Sequence, residues 1–526
     1  MSRRSMAAPI AGDAGGNETF DSDRAERRCA RRTIGSLLAV LGAMSAASSA
    51  PAAAPVLEHL YPAGMGAGTN GTLALSGKFD PWPPGFWIEG SGVSFVATTN
   101  TGRVTVTVAP DAAPGPRWMR LFGAEGASEP RLFVVGSKPE MAETEPNDAF
   151  AAPQSVAGLP VTINGRLDKN GDVDGFAVDV PAGGWLEARL DAYVLMSRVD
   201  AVLRLVTPRG APLAWNHDTF GLDPRLVWKA EEARTVVVQV FGFKYPADSS
   251  IQLTGGEGAV YRLPLAIHGE SPEPRVPGPT VEKQTHTTFP VTVRGVVDGG
   301  PPEDRHRLRA SKGDTFVVRV DAAASGEVWD ARLRVEDSAG KTLVENDDAE
   351  GSSDPRLDWT VPADGEYAVV VGSRLGRGDS RNRYALTIAR AVPDFRATVP
   401  ATAFAVSAGA TNTVKVTVSR SHGHDRELRV GFRDLPEGVS CESAKVPAGS
   451  GEVGLNLVAA TNAAPVSREV GLWVESVEAK ESRSVESDLI SRGENNGVPQ
   501  GYSRLLRSSI DRFWLTVLPD ASAKKP

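Results

Sequence analysis

The sequence predicts an all-β protein built of tandem antiparallel β-sandwich modules of the immunoglobulin-like or jelly-roll-like kind. Three observations carry that expectation. The chain has 526 residues, and one hydrophobic core stops growing at about 250 to 300, so several domains are required. Its 54 Gly and 38 Pro punctuate short runs of Val, Thr and Leu, the pattern of many turns joining short strands. Finally, residues 161–218 align without a gap on residues 291–348 and share 17 of 58 positions, far above chance, which marks an internal repeat.

Residues 1–54 read as an export signal and leader. The basic stretch RAERRCARR (24–32) precedes the apolar run TIGSLLAVLGAMSAASSA and then PAAAP, the order of a secretory signal with cleavage expected between Ala50 and Ala54. The apolar part is short for a bilayer span and polar sequence follows it, so no transmembrane segment is expected after cleavage. Arg31-Arg32-Thr33-Ile34 also permits a twin-arginine route. The leader carries a net charge of +2 within a total of −8, leaving −10 beyond residue 50. Such a surface suits divalent cations and excludes nucleic acid as a partner. Cys29 falls in the leader, so Cys441 is the single cysteine of the exported part and no disulfide forms within it.

Residues 55–137 form the first expected module, with strands such as RVTVTVAP (103–110). Residues 138–270 and 286–392 are the two copies of the repeat, joined by a Pro-rich linker at 271–285. VTINGRLD matches VTVRGVVD, DAVLRLVTPRGAPLAWNHD matches DARLRVEDSAGKTLVENDD, and DPRLVW matches DPRLDW. Alternating runs such as TFVVRV (315–320) and EYAVVV (366–371) are strands, and Pro208-Arg209-Gly210 and Asp337–Gly340 are the turns between them. Residues 393–520 form a last immunoglobulin-like module, and 521–526 a tail.

ETEPNDAF (143–150) sets Glu143, Glu145, Asn147 and Asp148 around one proline. Two readings compete. Ca²⁺ takes six to eight hard oxygen ligands, and four clustered oxygen-bearing side chains are half of such a shell. Alternatively, Pro146 starts a short helical turn and the acids favour its positive end.

The order EPND, GDVDGF, VDAVLRLVTPRG, NHD and YRLPL resembles the bacterial and archaeal pre-peptidase C-terminal domain, a β-sandwich appended to many secreted peptidases and similar to the collagen-binding segments of bacterial collagenases. Residues 138–270 carry the resemblance, and 286–392 are a degenerate second copy. In those segments a Glu-x-Glu-x-Asn-Asp entrance binds calcium with Asp residues of a following loop. The resemblance therefore implies a structural Ca²⁺ site at Glu143, Glu145, Asn147 and Asp148, with Asp172 and Asp174 from the loop. The second copy has no EPND, and Asp304 alone stands at the position of Asp174.

Both copies share a further set, Asp200, Asn216, Asp218 and Asp223 against Asp330, Asn346, Asp348 and Asp354. Asx side chains commonly bond backbone at hairpin turns; a second weak cation site is the other reading. No G-x-S-x-G elbow, H-E-x-x-H helix, phosphate-binding loop or C-x-x-C-H stands in the chain, so no catalytic address is expected. Cys441 reads as a structural thiol. His422-Gly423-His424-Asp425 reads as a hairpin loop before it reads as a metal pair. FDPWPPGFW (79–87) is expected to cover the end of a sandwich with Trp82, Phe86 and Trp87, and Arg377-Gly378-Asp379 to be a turn.

The functional expectation is a non-catalytic exported binding or scaffold protein, periplasmic or at the cell surface, whose partner is a protein or a surface polysaccharide. The alternative is an accessory subunit or processed appendage of a secreted peptidase or other hydrolase.

Overall fold

A computed structural model describes residues 53–245, 251–273, 285–298, 303–322, 329–349, 352–379, 382–449, 451–492 and 504–520. The leader up to residue 52, most of the linker and the tail lie outside them. The described chain is all β. Its strands alternate as expected of sheets with one buried face: Arg103–Val108 buries Val104, Val106 and Val108, and Glu303–Ala310 buries every second side chain.

Eight of the nine sheets among the described residues come in pairs, each pair closing on its own apolar core, and Ser487–Arg492 pairs with Arg504–Ile510 as a separate two-stranded sheet. Strands between Val56 and Gly136 make the first pair, and strands between Asp394 and Leu518 the last. Between them lie two pairs with one topology. In the first of these, one sheet runs Gln154–Ser155, Asp174–Val180, Arg234–Lys244, Val199–Val206, Pro212–Asn216. The other runs Glu140–Ala142, Val161–Arg166, Val260–His268, Trp185–Arg189, Arg225–Lys229.

The second pair repeats this order with one edge strand fewer. Its five-stranded sheet runs Thr285–His286, Glu303–Ala310, Gly365–Ser373, Ala331–Glu336, Thr342–Asn346, and its four-stranded sheet runs Val291–Val296, Arg383–Arg390, Thr315–Asp321, Arg356–Thr360. Among the described residues, the entrance strand Glu140–Ala142 has no counterpart there.

Two joints matter for the site. At the first, the Arg262 guanidinium, 2% exposed, grips Glu140 at 2.7 and 3.1 Å and Asn164 Oδ1 at 2.7 Å. It lies under Gly64 and Gly136, where added Cβ atoms would meet Arg262 or Glu140 at 2.5 and 1.9 Å. Glycine is required at Gly136 because the Glu140 carboxylate fills the space of a side chain, and at Gly64 because the Val134 carbonyl oxygen, 2.2 Å from an added Cβ, fills it together with Arg262. A cleft of about 530 Å³ beside this joint is lined by Tyr61, Met65, Lys138 and Met141 among others.

At the second joint the last module returns to the first. Buried Arg120 sits 5.9 Å from the Trp87 ring and 5.7 Å from that of Trp514, and donates to the carbonyls of Thr402 and Arg512. Burial pushes its pKa down to about 10. The aromatic loop is therefore structural: Trp82 donates to Thr98 O, Phe86 stacks on Phe95 at 5.9 Å, and Trp87 meets Trp514 at 6.0 Å.

Candidate cation site

The entrance of the first repeat copy is built by three elements. The chain leaves the strand Glu140–Ala142, and residues 143–148 then run as irregular backbone. No helix starts at Pro146, so the capping alternative falls away. The turn after Val161–Arg166 supplies Asp172, and the first residue of Asp174–Val180 supplies Asp174.

These acids converge. Glu143, Glu145 and Asp174 bring one carboxylate oxygen each within 4.8 Å of one another, and so do Glu145, Asp148 and Asp172. Glu145 belongs to both groups. The two loop Asp residues thus serve different sides of one cluster, because strand alternation turns Asp174 inward while the turn presents Asp172.

Burial makes the cluster costly as it stands. Asp172 and Asp174 are 0% exposed. Asp172 Oδ2 accepts the Asp168 N–H at 2.5 Å, whereas Asp172 Oδ1, Asp174 Oδ1 and Glu145 Oε1 are buried without a hydrogen bond. Burial raises the pKa of Glu143 and Asp174; the Glu143 charge adds to the rise of Asp174, whereas hydrogen bonds from Asp174, the Arg166 N–H and the two tyrosines hold Glu143 back. Burial also raises Glu145, helped by Asp172 and Asp148, and raises Asp172, helped by Asp148. A dication would remove that repulsion and give the orphaned oxygens a partner.

Asn147 is 1% exposed. Its Oδ1 accepts the Gly175 N–H at 3.2 Å and its Nδ2 has no partner. In this arrangement it braces the loop against the strand, and rotating the amide would turn its oxygen away from Gly175.

Sequence reasoning missed the tyrosines. Tyr261 donates to Asp174 Oδ2 at 2.5 Å and lies 3.0 Å from Glu143 Oε2. It reaches them by lying across Gly165, its cross-strand partner, where a Cβ would stand 2.1 Å from its ring. Tyr61, from the preceding module, donates to Glu143 Oε1 at 3.2 Å, and Arg166 stacks on its ring at 4.9 Å. A signal for Tyr261 existed, since Gly295 and Tyr384 repeat the pair in the second copy.

The other singled-out residues do not join a site. Asp223 accepts the N–H groups of Ala192, Tyr193 and Val194 at 2.7, 2.6 and 2.9 Å, and Asp354 accepts that of Ala322 at 3.0 Å. Asn216 and Asn346 accept the N–H groups of Arg225 and Arg356. These four bond backbone in both copies, as the turn reading expects. Asp200, pushed up to about 6 by burial and the nearby Asp218, keeps a buried oxygen without a hydrogen bond, as do Asp218 and Asp330.

His422 bonds Asp358 and the Val392 carbonyl, and His424 faces Arg420, so the two histidines hold different neighbours. Cys441 packs against the last core, where burial raises its pKa. In the Arg-Gly-Asp turn, the Asp379 N–H bonds the Val297 carbonyl at 2.9 Å.

No family model matches the chain, and no curated protein matches it. Solved structures do match at low similarity. The M60 catalytic domain with two CBM51 domains of Clostridium perfringens ZmpB is 9% identical, with 64% of this chain and 54% of that one covered and a TM-score of 0.14. The N-terminal eight Ig domains of Down Syndrome Cell Adhesion Molecule are 10% identical, covering 82% and 54%, with a TM-score of 0.15. The match thus spans about half the length of each structure, and at such scores it carries no argument.

Proposed function

We propose that the chain is a non-catalytic accessory protein, exported to the periplasm or cell surface, that acts as an appendage or partner of a secreted peptidase or other hydrolase. Its second module is a pre-peptidase C-terminal-like sandwich held at its entrance by Ca²⁺. One observation carries this reading: five carboxylates from three elements converge at that entrance and leave buried oxygens without hydrogen bonds. Hard, clustered oxygens in irregular backbone suit Ca²⁺, whereas Mg²⁺ demands a stricter octahedron and sheds water reluctantly. The accessory role follows from the resemblance of residues 138–270 to modules that accompany secreted peptidases.

The test is calorimetric titration of the full-length chain with calcium, with magnesium as control. A calcium-selective dissociation constant of about 10⁻⁴ to 10⁻³ M is expected, lost in the Glu145→Ala, Asp148→Ala variant. Absence of binding, or equal binding of magnesium, overturns the calcium reading. The accessory role is tested separately, by whether a hydrolase accompanies the protein from its native exported fraction at stoichiometric yield.

A further inference from the structure

We propose that Lys169 is a built-in competitor for the entrance cation: its ammonium group neutralises the outer side of the acidic loop, and a metal ion binds by displacing it. The inference rests on the cation reading above and adds how the site is regulated.

The Lys169 Nζ lies 3.3 Å from Asp148 Oδ2 and 3.4 Å from Asp172 Oδ1. These are the two loop carboxylates that group with Glu145. Asp172 Oδ1 has no hydrogen bond, so the ammonium supplies charge to it without satisfying it. Among the described residues, Lys169 is the basic group within ion-pair distance of either acid. The turn that presents Asp172 also holds Lys169, through the Asp172 N–H to Lys169 carbonyl bond at 3.2 Å. The Lys169 side chain itself is 63% exposed. A long exposed stem lets the ammonium leave for water at little cost, while the 0%-exposed Asp172 stays in place for the metal.

The second copy supports the pairing of plug and site. In the gapless alignment Lys169 faces Gly299, Asp172 faces Pro302, and no EPND precedes them. The copy without the acids is also without the lysine. The device keeps the loop of the first copy closed when divalent cation is scarce and makes occupancy depend on competition between one positive charge and two.

The experiment compares full-length wild type, Lys169→Met and Lys169→Arg by titration with calcium chloride at low ionic strength. Hydrogen exchange of residues 143–174 in chelator is measured alongside. Lys169→Met is expected to bind calcium about three- to tenfold more tightly and to exchange faster in chelator, while Lys169→Arg stays near wild type in both. Equal affinity in wild type and Lys169→Met overturns this inference and leaves the cation reading standing. Weaker binding in Lys169→Met also overturns it, because the lysine would then be a support. If no variant binds calcium, both readings fall.

Discussion

The two repeat copies put one scaffold to two uses. In both, a tyrosine crosses a glycine to bond the first aspartate of the neighbouring sheet: Tyr261 over Gly165 to Asp174 at 2.5 Å, and Tyr384 over Gly295 to Asp304 at 2.7 Å. What surrounds that unit differs. In the first copy Glu143 and the EPND loop close over it, and the excess is negative charge. In the second copy His306 stands where the first has Phe176, and its Nε2 lies 2.7 Å from the Tyr384 hydroxyl. Since that hydroxyl's proton faces Asp304, the imidazole donates. One copy gathers further acids around the unit, and the other completes its network with a neutral ring.

The comparison breaks most visibly at the glycines. Neither Gly165 nor Gly295 has a left-handed φ, so alanine there costs through sterics alone. A Cβ would stand 2.1 Å from the Tyr261 ring and 2.4 Å from the Tyr384 hydroxyl. Gly165→Ala and Gly295→Ala are each expected to destabilise by about 3 kcal/mol or more, read by urea-dependent hydrogen exchange in peptides of the affected copy. A cost below about 1 kcal/mol at either position would show that the tyrosine is not held there.

The copies are next expected to respond to pH with opposite signs. Burial lowers His306 from 6.5 to about 4, so the unfolded chain takes up a proton first as pH falls. The second copy loses stability from about pH 6.5 downward, by about 3 kcal/mol at pH 4. His306→Phe should flatten that slope. In the first copy Glu143 and Asp174 are raised, so in chelator the folded state holds the extra proton and stability falls as pH rises above the ordinary carboxylate range. Slopes of the same sign in both copies would contradict the assignment.

Calcium sharpens the contrast further. At a hundredfold excess over the dissociation constant it is expected to stabilise the first copy by about 2.7 kcal/mol and to leave exchange in the second unchanged. Equal protection of both would place the ion elsewhere. The smallest effect belongs to a half-exposed arginine of the second copy, where Arg305 and the buried Arg334 share the buried Glu336 at 2.6 and 2.7 Å. Arg305 is half exposed and Arg334 remains to pair the carboxylate, so Arg305→Ala should cost less than about 1 kcal/mol in a thermal melt. A larger loss would mean that Glu336 depends on Arg305 alone.

Much of this was legible because it is local or repeated. Period-2 alternation gave the strands their faces, as in Arg103–Val108, and the 130-residue offset placed equivalent strands in both copies. ETEPNDAF announced its oxygens by their spacing, since nothing but proximity in the chain is needed to crowd them. The helical turn at Pro146 was the wrong local alternative: residues 143–148 follow an edge strand and are held by the Asn147 bridge to Gly175, a contact across 28 positions.

The sequence by itself determined the all-β class, the repeat and the acidic entrance, because these follow from side-chain alternation and short-range spacing. Tertiary structure alone decided which oxygens lose water. Asp172 and Asp174 differ by two positions and are both fully buried, yet the turn and the strand place them in two groups of one cluster. It also decided that Tyr61 reaches Glu143 from another module, that Lys169 lies against two of the acids, and that Trp514 returns to Trp87 and Arg120. Apart from Lys169 with Asp172, three positions away, those contacts join residues from 21 to more than 400 positions apart, and no local propensity encodes them. They exist because each sheet buries its apolar face and thereby fixes where the polar edges meet.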